Sequence, residues 1–114
     1  MSERAKFNVS FKFWIEFEGK RVLGKGGAAI LEQIKEEKSI SKAAEKLGMS
    51  YRYVWSYLNE VKRILGKPVV KTFKGGKCGG GAELTELGEY LLSEYGRISK
   101  SFESYISDKN NGRR

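Results

Sequence analysis

Histidine is absent from the chain, and cysteine and proline occur once each. Without histidine, the commonest general base and the commonest metal ligand are both missing. That argues against zinc sites and against Ser-His or Cys-His catalysis. The lone cysteine, Cys78, forms no disulfide within the chain, in keeping with a reducing compartment. With no second thiol in the chain, it reads as an incidental small residue. No apolar run approaches the roughly 18 residues of a membrane span, and the N-terminus has no hydrophobic signal region. No stretch spells the G-x-x-x-x-G-K-S/T of a phosphate-binding loop. These absences point to a soluble, intracellular protein that is not an enzyme, holds no cofactor and no metal, and has no membrane partner.

Positive charge is plentiful: 22 lysines and arginines against 14 acids give a net charge of +8. Its placement says more than its sum. Residues 41–80 hold nine cations against two acids, whereas residues 81–108 hold two cations against six acids. A chain kept soluble by charge alone has no need of such segregation. It implies one positive face suited to a polyanion, with an acidic helix turned away from it. The length of 114 residues fits one compact domain.

The positive segment is organised around residues 39–66, SISKAAEKLGMSYRYVWSYLNEVKRILG. Ser39 suits the N-cap of a short helix ending near Leu47, and Gly48 suits the left-handed residue after it. Ser50 caps a second, longer helix, with Gly66 just past its end. Two helices joined by so short a turn make a helix-turn-helix, whose second helix enters the DNA major groove. Placed about 100° apart around the second helix, Val54, Leu58, Val61 and Leu65 share one side. Arg52, Ser56, Asn59 and Arg63 fall almost opposite. Arginine pairs bidentately with guanine, asparagine with adenine, and serine with a base edge or a phosphate. Base readout is therefore expected from Tyr51, Arg52, Ser56 and Asn59. Phosphate contacts are expected from Lys42, Lys46, Ser50, Arg63, Lys71, Lys74 and Lys77. Trp55, on the flank, suits packing and contact equally.

Residues 1–6 read as flexible. From Phe7 to Phe17 apolar and polar residues alternate, predicting a half-buried strand, with Glu18-Gly19-Lys20 turning into a return strand at Arg21-Val22-Leu23. Trp14 breaks the polar face and belongs either under a neighbouring element or in an interface. Gly24 to Gly27 reads as a flexible entry to a helix running to about Glu37. After Gly66 and Pro68, residues 69–84 form a glycine-rich wing that carries Lys71, Lys74 and Lys77. Thr85 caps a last helix over residues 85–106, and residues 107–114 carry no pattern and read as a disordered tail. Leu91, Tyr95, Ile98, Phe102 and Tyr105 recur by threes and fours along that helix. Such a stripe on a helix longer than the body it serves predicts a homodimer.

Three stretches in order, SISKAAEKLGMSYRYVW, LGKPVV and GGKCGGGAELTELG, resemble the N-terminal DNA-binding domain of the ModE family of molybdate-responsive regulators. More distantly, the chain is similar to the LysR-type domain, which shares the A-x-x-L, L-G and L-T-x-x-G landmarks. The resemblance covers about residues 19–95. It implies a winged helix-turn-helix that dimerises on operator DNA. Lys38 departs from the family's usual glycine, Tyr53-Val54 from a polar residue and alanine, and Cys78 interrupts the glycine-rich turn. Nothing after residue 95 resembles the family's molybdate-binding domains, so molybdate is not an expected ligand. The fold expected is α+β: a winged helix-turn-helix with an N-terminal β-hairpin and a long C-terminal dimerisation helix. Its expected function is sequence-specific double-stranded DNA binding as a transcriptional regulator on the nucleoid. The rivals are an architectural protein coating DNA with little sequence preference, and a winged helix that meets an acidic protein.

Overall fold

The computed structural model describes residues 6–74 and 80–111. Strands β1 (Ile15–Phe17) and β2 (Lys20–Leu23) make an antiparallel hairpin. Its turn residues Glu18 and Gly19 have φ of 49° and 82°, the paired positive angles of a type I′ turn. Helices α1 (Lys25–Glu37), α2 (Ile40–Leu47) and α3 (Tyr51–Leu65) follow. Strands β3 (Val70–Phe73) and β4 (Gly81–Leu84) pair antiparallel from Val70 opposite Leu84 to Phe73 opposite Gly81. Helix α4 (Glu86–Asn111) closes the described chain. The architecture is an α+β winged helix-turn-helix, with the β3–β4 hairpin as its wing.

Each helix contributes one apolar side to a single core. Ile30, Leu31 and Ile34 of α1 meet Ala43 and Ala44 of α2, and Val54, Leu58 and Val61 of α3. Val22 and Leu23 enter from β2, Val69 and Leu84 from the wing, and Leu91 from α4. The wing is tied to α1 through main chain. The Ala82 N–H donates 3.0 Å to the Lys38 carbonyl, and Lys38 itself turns the chain out of α1 with a left-handed φ of 57°. Thr85 caps α4 as its sequence suggests: the Gly88 N–H donates to its Oγ1 at 3.1 Å.

Three expectations need correction. The strand predicted over Phe7–Phe17 is confined to Ile15–Phe17. β2 has four residues, and pairing Leu23 with Ile15 uses its last one before α1 begins at Lys25. Residues before Ile15 therefore have no strand to join, and the rings of Phe11 and Phe13 pack on α4 instead. Phe13 stacks on Tyr95 with centroids 4.5 Å apart, and Phe11 lies 5.2 Å from Phe102. Asn110 clasps the same segment, accepting from the Val9 N–H at 2.9 Å and donating to the Val9 carbonyl at 3.2 Å. This strap also corrects the tail: α4 stays helical through Asn111, past the end expected at residue 106.

The third correction concerns the glycines before α1. Gly26 and Gly27 lie inside the helix, not in a flexible entry. Gly27 is needed for close approach, since a Cβ there would stand 2.1 Å from the Tyr57 hydroxyl. Trp14, left between two readings by sequence, is half exposed beneath the Arg21 guanidinium, which lies 4.8 Å from its ring centroid.

Candidate nucleic-acid interface

The helix-turn-helix is built by the caps legible in the sequence. Ser39 Oγ accepts from the Lys42 N–H at 3.1 Å, and Ser50 Oγ accepts from the Tyr53 N–H at 3.0 Å. Each hydroxyl satisfies a donor that the first turn of its helix leaves without a partner. Between the helices Gly48 takes φ 68°, and the Met49 N–H donates 2.9 Å back to the Ala44 carbonyl. That compact turn fixes how α3 leaves α2.

Burial then fixes how α3 is rotated. Val54, Leu58 and Val61 face the core, which leaves Arg52, Ser56, Asn59 and Arg63 exposed on the opposite side. A second tether holds the rotation: the Tyr57 hydroxyl donates 2.6 Å to the Val22 carbonyl in β2. Burial pushes the Tyr57 phenol well above its ordinary pKa, so it remains a donor even in alkali that would ionise a free phenol.

The expected cations divide by what they already touch. Arg63 forks onto Glu60 one turn earlier, and that hydrogen-bonded pairing lowers the Glu60 pKa and raises that of Arg63. Lys46 lies 3.3 Å from Glu37, and Lys71 lies 3.3 Å from Glu83 across the wing. Arg52, Lys42 and Lys74 have no ion pair among the described residues, and neither do Lys62 and Lys67. Lys77 and Cys78 lie outside the described residues. The structure thus brings Arg52, Ser56 and Asn59 onto one solvent-facing stripe with their polar groups uncommitted. Arg63, expected beside them, is tied to a carboxylate.

Two grooves border the stripe on the wing side. One, of about 250 Å³, runs between Trp55, Asn59 and Lys62 of α3 and Lys71 and Thr72 of β3. The other, of about 220 Å³, lies between Ser39, Ser41 and Tyr51 and the wing residues Thr72 and Phe73. Lys62 and Phe73 were not singled out from sequence. Lys62 follows Trp55 by seven residues, two helical turns, which was the available signal. Phe73 gave none, because nothing in a strand's pattern says which helix stands opposite.

The expected dimer stripe is divided as well. Leu91 is 8% exposed and belongs to the core, and Tyr95 is half-buried under Phe13. Leu91 therefore drops out of the predicted partner surface. Phe102 and Tyr105 stay 45% and 58% exposed, even with the strap in place.

Residues 28–89 match the family described as "Bacterial regulatory helix-turn-helix protein, lysR family". The chain is 39% identical over 85 residues to the molybdenum-pterin-binding protein MopB of Rhodobacter capsulatus, a match spanning 75% of this chain and 32% of the relative. It is 36% identical over 84 residues to the transcriptional regulator ModE of Yersinia pestis, across 70% of this chain and 32% of that one. The chain thus spans about a third of the length of these relatives. A crystal structure of a BenM_DBD/benA site 1 DNA complex superposes with a TM-score of 0.57 at 16% identity, covering 75% of this chain and 94% of that chain. At that identity the likeness is one of fold. No helix among the described residues is long and apolar enough to cross a membrane.

Proposed function

The chain belongs to the bacterial regulatory helix-turn-helix proteins of the lysR family, and on that footing we propose that it is a sequence-specific double-stranded-DNA-binding transcriptional regulator. The observation that carries the reading is the uncommitted stripe on α3. Arg52, Ser56 and Asn59 are exposed together on its outer side, on a helix whose rotation is fixed by core and tether. A merely solvated face needs no such restraint, whereas base readout does, because a misplaced donor loses its hydrogen bond. Lys42 and Lys74 hold phosphates on either side, with the remaining wing lysines along the flanking backbone. ModE of Yersinia pestis, one of the relatives, carries the name of a transcriptional regulator, which favours the same reading over an enzyme.

The protein acts as a homodimer through the exposed part of α4, where Ile98, Phe102 and Tyr105 are joined by Phe11 of the strap. Support comes from the aromatic side chains left in solvent there, an arrangement that favours a partner surface. Molybdenum-pterin binding, named for MopB, is not carried over: the match covers only 32% of that relative. DNA binding by these 114 residues is expected to proceed without molybdate.

The test is selection of bound sequences from a random duplex library, followed by titration of the enriched and a scrambled duplex at several salt concentrations. A recurrent two-fold-symmetric motif, bound at least about a thousandfold more tightly than scrambled DNA, is expected. Equal affinity for both would favour the coating protein instead.

A further inference from the structure

We infer that Tyr51 and Trp55, with Phe73 across the groove, form an apolar edge that reads the C5-methyl groups of thymines in the major groove. The inference rests on the duplex-binding reading above and adds a second, non-polar channel of sequence discrimination to it.

Three observations carry it. First, the rings are in solvent. Tyr51 is 52% exposed, Trp55 40% and Phe73 47%, although large aromatic side chains ordinarily supply cores and interfaces. Second, the two helical rings lie side by side. One turn apart on α3, they are nearly parallel, with 12° between their planes and centroids 6.4 Å apart. Together they present one continuous apolar surface rather than two scattered rings. Third, the edge lies beside the polar stripe. Trp55 borders the groove it shares with Asn59, and Tyr51 borders the groove it shares with Phe73. Any helix position that brings Arg52 and Asn59 to base edges therefore brings Trp55 and Tyr51 alongside the next bases.

The chemistry follows from what the major groove offers. Guanine, adenine and cytosine present hydrogen-bond donors or acceptors there, and thymine alone adds a methyl group. Arginine, serine and asparagine recognise the first kind of group and gain little from the second. An aromatic ring does the reverse. Lys71, paired with Glu83, also sets its Nζ 5.9 Å from the Phe73 centroid, so the far side of this ring borders an ion pair and not further apolar surface. The stripe thus selects purines by hydrogen bonding, and its wing-side flank selects neighbouring thymines by apolar contact.

The experiment replaces each thymine of the selected duplex, one at a time, by deoxyuridine, which removes the methyl group and keeps every hydrogen bond. Wild-type protein should lose about fourfold in affinity at one or two positions per half-site, the worth of one methyl group taken from water. Trp55→Ala should bind the parent duplex more weakly and be indifferent to deoxyuridine at one of those positions. Tyr51→Ala should be indifferent at another. Wild-type protein with full affinity for every substituted duplex overturns the inference, and that arm requires no variant to fold. Retention of the full penalties by both variants overturns it too. So does single-stranded DNA competing as well as duplex, which would make the rings a base-stacking platform. Failure of the underlying reading is visible separately, as equal affinity for selected and scrambled duplexes before any thymine is changed.

Discussion

The Tyr57 hydroxyl reaches 2.6 Å from the carbonyl oxygen of Val22, joining the middle of α3 to the hairpin strand β2. Gly27 makes the approach possible, because the space of its missing Cβ is where the hydroxyl lies. Tyr57→Phe should cost about 1–2 kcal/mol by leaving a partly buried carbonyl without its donor. Gly27→Ala should cost more, since the added carbon overlaps both the hydroxyl and the ring carbon that bears it. The double variant should be less destabilised than the two costs added, because removing the hydroxyl relieves part of the overlap. Urea denaturation of the four proteins measures the coupling, and strict additivity would mean that the two residues do not share this space.

The same tyrosine makes a pH prediction. Its phenol is pushed above the ordinary value of 10.0, chiefly by burial. A group whose pKa is higher in the folded state contributes its stability in full below the unfolded pKa and loses it as pH rises further. Between pH 8 and pH 11, wild-type protein should therefore lose more stability than Tyr57→Phe, with the difference opening near pH 10 and growing above it. Parallel denaturation curves for the two across that range would show that the phenol does not titrate differently on folding.

Lys38 ends α1 in a left-handed conformation with φ 57°. A side chain with a Cβ is strained there, and the strain outweighs the entropy that glycine costs the folded state. Lys38→Gly should stabilise the protein by about 0.5–1 kcal/mol, seen as a higher thermal midpoint. The Lys38 carbonyl still accepts from Ala82 in the variant, so the wing should keep its anchorage.

Local rules made most of the helix-turn-helix legible in the sequence. Ser39, Gly48, Ser50 and Gly66 act through the few residues around them, and each sits at the helix end it predicts. The outward stripe followed in the same way from the period of one helix. What escaped were contacts between elements distant in sequence. The alternation in Phe7–Phe17 specifies an apolar face, which a sheet or a helix can cover equally well. Only the shortness of β2 and the length of α4 decide for the helix. Gly27 reads as part of a flexible entry because nothing near it in sequence says that Tyr57 will arrive. Likewise, the acid that ties up a cation is predictable for Glu60 and Arg63, three residues apart, but not for Lys71 and Glu83 across the wing.

Base readout and phosphate contact should separate in the variants. Arg52→Ala is expected to cost about 1–3 kcal/mol on the selected site and much less on scrambled DNA. Lys42→Ala and Lys74→Ala should weaken both duplexes alike and lower the salt slope by about one unit each per protomer. Arg63→Ala should do less than either, because its guanidinium already has Glu60 as a partner. Titrations on both duplexes at several salt concentrations decide. Equal losses for Arg52→Ala on the two DNAs would remove its readout role.

The dimer prediction turns on how unevenly α4 is covered. Leu91 is buried in the core of its own chain, so Leu91→Asp should unfold the protein whether or not it dimerises. Phe102 is ambiguous as a probe, since its ring also touches Phe11 and Phe13 of the strap. Tyr105 is the cleaner choice: it is 58% exposed, and among the described residues the one aromatic or cationic group near its ring is Lys109 on the same helix, 5.9 Å from the centroid. A carboxylate there costs a solvated monomer little, but in a symmetric interface two of them face desolvation together. Tyr105→Asp should therefore keep its thermal midpoint at low protein concentration and sediment as a monomer where wild-type protein sediments as a dimer. On DNA it should lose the preference for two half-sites about 34 Å apart, or a multiple of that, while still binding a single half-site weakly. Wild-type protein sedimenting as a monomer at tens of micromolar would remove the dimer. A Tyr105→Asp protein that stays dimeric would move the interface off this end of α4, leaving the groove between α1 and α4, lined by Ala29, Leu92 and Gly96, as the next surface to alter.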